Sequence, residues 1–307
     1  TSKEGAIMEF YPANTSYRRA PLEGFRTFLK FKDTSGAPVI YEPFRYTPGS
    51  KASQTMFISK HEFRIEEVST ELGITCEVVY FTVPGENFPA LARVFTIKNT
   101  SAQALDVEVV DGMPKLCPYG MNEFFMKHMS RTIEAWMEVT GLDKKTPFYR
   151  LRVDAADTSE TKYITSGNFY LSRYGDKKTD IIVDPRVVFG NSSDLAYADA
   201  FGRPDFIIPA RQTDKNITPA AFSYCACSLP AGASGSLESL IGHASSIEEL
   251  QKIDNRFTSS FFKEKRSENA ATVAQMASSV SVFSGIPEFD LYTAQTNLDN
   301  ILRGGYP

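Results

Sequence analysis

Between Thr75 and Gly120 the chain reads TCEVVYFTVPGENFPALARVFTIKNTSAQALDVEVVDGMPKLCPYG. This stretch limits the fold more than any other. Thr75–Val83 is rich in Val, Tyr, Phe and Thr and is broken by Pro84-Gly85-Glu86-Asn87. Ala90–Lys98 runs to Asn99-Thr100-Ser101, and Ala104–Val110 runs to Asp111-Gly112-Met113-Pro114. Three β-forming runs separated by Pro/Gly and Asn/Ser clusters predict an antiparallel meander. In the third run Leu105, Val107 and Val109 fall on one face, and Asp106, Glu108 and Val110 on the other. That alternation suits a sheet with one face on a core and one nearer water.

The rest of the chain extends this reading. Residues 1–24 are read as loops around a short strand at Ala6–Phe10, given Pro12, Pro21 and Gly24. Strands are predicted at Phe25–Phe31, Val39–Tyr41 and Lys60–Val68, with Pro43, Pro48 and Gly49 marking an irregular stretch. In the last of these strands Phe63, Ile65 and Val68 are expected inward, Arg64 and Glu66 outward. Asn122–Val139 is ambiguous between helix and strand, and a short helix followed by a strand is preferred. Further strands are predicted at Phe148–Val153, Asn168–Arg173, Asp180–Phe189, Phe222–Leu229 and Ser236–His243. About twelve to fifteen strands with hardly a helix point to a large two-sheet antiparallel sandwich rather than a βαβ fold.

At Ser245 the pattern changes to helical. Ser246-x-x-Glu249 is a capping-box signature, and Ile247, Leu250, Ile253, Phe257 and Phe261 recur at helical spacing. Lys263–Ser279 reads as a second helix or a bent continuation. A third is predicted from Glu288 to Arg303. A final helix with nothing after it to pack against predicts a fragment ending just inside a further helical domain.

Composition narrows the function classes. Of 307 residues, 42% are hydrophobic and 23% charged, ordinary for a globular protein. No apolar run approaches the ~18 residues of a membrane span, so no membrane partner is expected. The net charge of −4 gives no support to a nucleic-acid partner. Cys76, Cys117, Cys225 and Cys227 are too few for a disulfide scaffold and lie in predicted strands, which favours a reduced, cytoplasmic setting. Asn14, Asn99, Asn191 and Asn216 open N-x-[ST] triplets, read as turn chemistry.

Several segments together resemble the N-terminal region of inverting β-glucan phosphorylases of glycoside hydrolase family 94, also described as cellobiose phosphorylase or glycosyltransferase-36-like. They are the meander from Glu77, Trp136, PFYRLRV from Pro147, GNFYLS from Gly167, IIVDPRVVFG from Ile181, ITPAAFSYCACSLPAG from Ile217, SLIGH from Ser239 and the closing NLDNILRGGYP. The resemblance covers most of residues 58–307. It implies a mainly β, galactose-mutarotase-like antiparallel β-supersandwich over residues 1–244, a helical linker over 245–285, and the start of a truncated (α/α)6 catalytic barrel over 286–307. It also implies reversible phosphorolysis of β-linked glucooligosaccharides, β-1,2 favoured ahead of β-1,3 and β-1,4, to glucose 1-phosphate. Inorganic phosphate is the co-substrate, with no cofactor and no metal. One carboxylic acid would protonate the departing oxygen. The family's catalytic groups lie in the barrel, beyond Pro307, so no catalytic residue is carried onto this chain. The expected partners are the glucan, phosphate, the chain's own C-terminal barrel and a second subunit in a homodimer.

Arg303-Gly304-Gly305-Tyr306 is the strongest: Arg303 can make bidentate contacts to an oxyanion or sugar hydroxyls, with Tyr306 beside it, against the plainer reading of a helix C-terminus followed by a loop. Asp180 and Asp184 are read as strand-end and turn residues rather than an acid/base pair. Glu66, Glu67 and Glu71 are read as a solvated face, and Arg18-Arg19 as a surface pair. Cys225-x-Cys227 places two thiols on one strand face, where a metal would need two further ligands, and His61, His128 and His243 show no ligand spacing. Trp136 and Tyr119 are read as buried aromatics. Two rival functions remain: a stand-alone carbohydrate-binding or structural sandwich, and a mutarotase-like epimerase, which needs a His and a carboxylate over one sugar site.

Overall fold

The computed structural model describes residues 7–8, 13–33, 35–156, 158–279 and 282–302. A helix, α1 (Ala13–Glu23), precedes seven strands: β1 (Arg26–Lys32), β2 (Pro38–Tyr41), β3 (Ser53–Ile58), β4 (Phe63–Ser69), β5 (Ile74–Thr82), β6 (Ala90–Asn99) and β7 (Leu105–Met113). Next come α2 (Glu123–His128), a 3-10 segment (Ser130–Trp136), β8 (Met137–Thr140), β9 (Phe148–Leu151), β10 (Gly167–Tyr174), β11 (Lys177–Lys178), β12 (Asp180–Ile182) and α3 (Arg186–Phe189). The long strands β13 (Ala221–Leu229) and β14 (Ser234–Ala244) close the β part. Helices α4 (Ile247–Arg256), α5 (Ser259–Ser278) and α6 (Pro287–Leu302) follow.

The predicted meander is β5–β6–β7, but its third strand leaves the first two. β5 and β6 pair in a nine-stranded sheet ordered β3-β4-β5-β6-β14-β10-β9-β8, with β11 beside β10. β7 lies in a five-stranded sheet ordered β12-β13-β7-β1-β2. Every strand pairing is antiparallel. The sheets pack face to face because the alternation of β7 matches that of its neighbours. Leu105, Val107 and Val109 meet Leu29 and Phe31 of their own sheet, and Ile74, Phe95, Ile97 and Leu237 of the other. The opposite face of the small sheet is covered by the long excursion after β12, through Val188, Phe189, Leu195, Phe201 and Ala220. The outer face of the large sheet is covered by Leu250, Ile253, Phe257, Phe261 and Phe262 of α4, α5 and the turn between them. The apolar stripe that predicted these helices is therefore the stripe that docks them.

Polar side chains cross the centre of the sandwich. Arg93 on β6 donates from Nε to Asp111 Oδ2 on β7 at 3.0 Å and from Nη2 to Oδ1 at 2.6 Å. The two side chains are 2% and 0% exposed. Arg93 also donates to Thr27 Oγ1 at 2.8 Å and to the Tyr80 hydroxyl. Behind this pair the Tyr170 hydroxyl, Ser223 and Ser239 close the network onto the Asp111 carbonyl. Gly112 sits beside it with φ +145°, and a Cβ there would lie 2.0 Å from the Ala221 carbonyl oxygen. Only glycine lets β7 and β13 approach there.

Three sequence expectations need correction. Residues 13–23 are helical rather than looped. Nothing on α1 is buried, so it shows no apolar period to read; the expected strand at Ala6–Phe10 lies largely outside the described residues. β3 falls between the irregular stretch at Pro43–Gly49 and the strand read at Lys60–Val68, where no strand was read. All six of its residues are exposed, and a strand bare on both faces carries no alternating pattern. The strand expected over Asp180–Phe189 stops at Ile182. Pro185, without an N–H to donate, opens the helical turn of α3 instead.

Ion pairs fasten the helices to the large sheet. Glu86 in the β5–β6 turn accepts from Arg256 at 2.7 Å and pairs with Lys265 at 2.8 Å. Glu62 in the β3–β4 turn takes Arg266 in a two-pronged contact at 2.7 and 2.9 Å. Asn269, 2% exposed, donates to the His61 carbonyl, and Thr82 donates to Asn269 Oδ1. Burial alone would raise the Glu86 carboxyl, but hydrogen bonds and charge from Arg256 and Lys265 outweigh it and hold it below the usual carboxylate value. The Arg266 hydrogen bond does the same for Glu62.

Arg93→Met strands the Asp111 charge in the core and costs about 3–5 kcal/mol in urea unfolding, whereas the Arg93→Met/Asp111→Leu pair recovers most of it. Because Glu62 and Glu86 have lowered folded pKa values, their contribution is complete above the unfolded value of about 4.3 and disappears as pH falls through the folded values. Amide exchange in residues 247–278 therefore speeds up before exchange in β5, β6 and β14 as the solution is acidified. Glu86→Gln makes that segment exchange faster already at neutral pH, with a loss of roughly 1 kcal/mol.

Candidate functional site

The clearest cavity, about 500 Å³, opens between α1, the chain after β7 and the 3-10 segment before β8. Met121, Ile133 and Met137 form its apolar floor. Its rim is charged. Lys115 contacts Glu23 at 2.8 Å, with Arg19 at 3.4 Å from the same oxygen. Glu134 accepts from the Thr218 amide at 3.1 Å and hydroxyl at 2.9 Å, and from Arg131 at 3.1 Å. Each carboxylate is committed to a cation, so the rim suits hydrogen bonding to a polar ligand better than proton transfer. Arg19, predicted as half of a surface pair, thus joins a cavity rim; Arg18 next to it is exposed.

A second feature is the free face of α6. The helix leans on α5, where the Asn297 side-chain amide donates to the Met276 carbonyl at 3.4 Å, and Leu298 beside it is buried. Away from α5, Leu291 and Tyr292 are 62% and 67% exposed, and Phe283 and Ile286, just before the helix, 91% and 58%. Four large apolar side chains in one short segment form a patch of the kind that marks an interaction site.

The predicted site residues do not converge. Arg303 and Tyr306 lie outside the described residues. Asp180 is exposed and pairs with Lys145 at 2.6 Å. Asp184 accepts from the Arg186 amide at 3.0 Å and takes its guanidinium at 2.9 and 2.7 Å. Burial would raise the Asp184 carboxyl, but Arg186 holds it below the usual range. Both residues serve the chain turn, as read from sequence.

Glu67 overturns its sequence reading. It is 2% exposed and accepts from the Phe44 amide at 2.9 Å, Gln54 Nε2 at 2.5 Å and the Tyr41 hydroxyl. The strict two-residue period of β4 places Glu67 inward after Phe63 and Ile65, where Val68 had been expected. Period two was the available signal, and hydrophobicity misled.

The cysteine pair behaves as the strand period requires. Cys225 and Cys227 share the inner face of β13 and pack beside Tyr174 on the core cluster that includes Cys76. A hydrogen bond from the Cys225 thiol brings Cys227 down to about 7, while Cys225 is raised. Among the described residues no group of three His, Cys, Asp or Glu side chains is placed to hold a metal ion. His243 stacks on Tyr119 with ring centroids 4.5 Å apart. Burial lowers its pKa, so the imidazole stays neutral to lower pH than usual. Tyr119 and Trp136 are half-buried rather than buried. Asn99 confirms its turn reading, its side chain joining Ser101, Gln103 and Leu229.

No helix among the described residues is long and apolar enough to cross a membrane. No protein-family profile matches the chain, and no curated protein matches it. Among solved structures the chain is similar to a polysaccharide lyase, with 9% sequence identity and a TM-score of 0.38 over 80% of this chain and 29% of the lyase. The chain therefore spans less than a third of that structure's length.

Proposed function

We propose that this chain is the non-catalytic β-supersandwich and helical linker of an inverting β-glucan phosphorylase. The observation that carries the reading is the apolar face of α6, which follows an antiparallel two-sheet body and its docked helices. A helix partnered on one side only, with Leu291 and Tyr292 outward, is suited to being the first helix of a larger helical body, here the (α/α)6 barrel. The supersandwich is galactose-mutarotase-like in outline, the linker spans residues 245–285, and the barrel starts at residue 286.

In this reading the barrel carries the chemistry. Phosphate attacks the anomeric carbon of the terminal glucose, and one carboxylic acid protonates the departing oxygen, so no second carboxylate is needed to activate water. Arg303 and Tyr306 would lie on the substrate side of the barrel's mouth. The substrate class is β-linked glucooligosaccharide, β-1,2 first, in a cytoplasmic enzyme that uses inorganic phosphate.

The 307-residue chain, given β-1,2-glucooligosaccharides and phosphate, yields no glucose 1-phosphate, whereas the protein translated through the coding sequence downstream of Pro307 does. Turnover by the chain alone, or a downstream sequence without helical repeats, overturns the assignment. In the longer protein, Leu291→Glu/Tyr292→Glu detaches the barrel. Limited proteolysis then cuts near residues 279–287 at least tenfold faster, in line with the ~1.5–3 kcal/mol that burial of a large apolar side chain contributes.

A further inference from the structure

A second cavity, about 1010 Å³, opens beside the small sheet, between the chain that follows β2 and the loop that follows α3. Two tyrosines line it, one from each of these segments. Tyr46 is 85% and Tyr197 67% exposed. A single exposed ring on a protein surface needs no explanation. Two on one concave surface, with charged groups between them, make the kind of patch that marks a ligand site.

The backbone is bent to hold both rings there. Phe44, two residues before Tyr46, has φ +67°, and Leu195, two residues before Tyr197, has φ +59°. Bulky side chains rarely enter this left-handed region, and they stay only where their surroundings over-determine them. Glu67 does so for the first: it accepts from the Phe44 amide at 2.9 Å, while the Phe44 ring meets Phe95 edge-on, centroids 6.3 Å apart. Arg26, 4% exposed, does so for the second, donating to the Leu195 carbonyl and, at 3.2 Å, to the Ala196 carbonyl. Glu42 joins the two sides. It accepts from Arg26 at 2.6 and 2.9 Å and from Arg45 at 2.8 Å, and Arg45 donates to the Ala196 carbonyl at 2.7 Å. The Arg45 guanidinium then lies 5.4 Å from the centre of the Tyr197 ring. Two buried charges and two strained residues thus fix the position of two surface tyrosines.

We infer that this groove binds a neutral oligosaccharide. A sugar ring presents a flat C–H face and an edge of hydroxyls that both donate and accept. Tyr46 and Tyr197 supply amphipathic rings for the face. Glu42 and Asp199 supply acceptors for the edge, Arg45 and Arg203 donors. Among the described residues no side-chain hydrogen bond or ion pair engages Asp199 or Arg203, so both are available to a ligand. Two carboxylates and two guanidiniums leave the lining without net charge, which favours neither an anion such as phosphate nor a cation. An added peptide strand is disfavoured as well, since β2 beneath the groove has four residues and begins with Pro38. The class of ligand follows from the groove itself; only its identification as a β-linked glucooligosaccharide rests on the phosphorylase reading.

The test is isothermal titration calorimetry of the 307-residue chain. The probes are β-1,2-, β-1,3- and β-1,4-linked glucose oligomers and a β-1,4-linked mannose oligomer, with an oligogalacturonate as the charged comparison. A neutral oligomer binds with a Kd of about 1 mM or tighter, and raising the salt tenfold leaves that affinity unchanged. Tyr46→Ala and Tyr197→Ala each weaken binding by about tenfold or more, whereas Tyr46→Phe and Tyr197→Phe, which keep the ring, stay within about threefold. Both side chains are exposed, so unchanged thermal unfolding of the variants separates binding from folding. Binding of the mannose oligomer alone supports the groove and counts against the phosphorylase reading. Phosphorolysis by the longer protein, with no neutral probe bound by this chain at about 10 mM, does the reverse and overturns the inference. Binding that survives both alanine variants overturns it too, as does a preference for the oligogalacturonate that salt abolishes.

Discussion

The contact between Arg93 and Asp111 sets the terms for everything around it. A fully buried guanidinium and carboxylate tolerate burial only if geometry and supporting hydrogen bonds are complete. Completing them requires Thr27 from β1, Tyr80 from β5, and Tyr170 with Ser223 and Ser239 behind. With Arg93 and Asp111 themselves, those residues come from seven strands in two sheets. A slip of one residue in any of these strands would turn a polar partner away from the pair. The polar crossing thereby holds both sheets in one alignment, while the apolar clusters on either side supply the bulk of the burial.

The outer layers follow from that alignment. With the inner faces fixed, Phe28, Val110 and Phe222 must point away from the second sheet, and the excursion after β12 covers them. Val79, Phe81 and Leu240 point to the other side and need α4 and α5. The helical part is therefore held to the β part by a shared core and by carboxylates in two strand turns. An acid-sensitive fastening and a hydrophobic one act at the same joint. α6 stands outside that arrangement, packing on α5 and leaving Leu291 and Tyr292 largely in water.

Much of the architecture was legible in the order of residues, since strands half-buried in a sandwich alternate and docked helices carry a stripe. β7 could be read that way; β5, β6, β10, β13 and β14 were legible as runs of β-forming residues between turns, β10 being buried on both faces without alternation, and the capping box marked the start of α4, where the Ser246 hydroxyl accepts from the Glu249 amide. α1 and β3 could not, because both are solvent-exposed and burial is what writes a period into sequence. The candidate sites were less legible. Glu67 was read as a solvated carboxylate from its neighbours Glu66 and Glu71, yet three neutral donors from three segments make a buried place for it. The cavity beside α1 joins residues about two hundred positions apart in sequence, Arg19 to Thr218, and no local pattern connects them.

The amino-acid sequence by itself determined the β class, the antiparallel character of the strands, the inward face of β7 and the change to helix at Ser246, because each depends on periods and turn residues within a few positions. Tertiary structure alone decided that the Thr75–Gly120 meander divides between two sheets. β7 leaves β6 for β1 and β13, since Asp111 must face Arg93 across the sandwich rather than along one sheet. It alone also decided which strand ends bare. That depends on which distant segment covers each edge, a matter of chain path that the composition of β3 does not record.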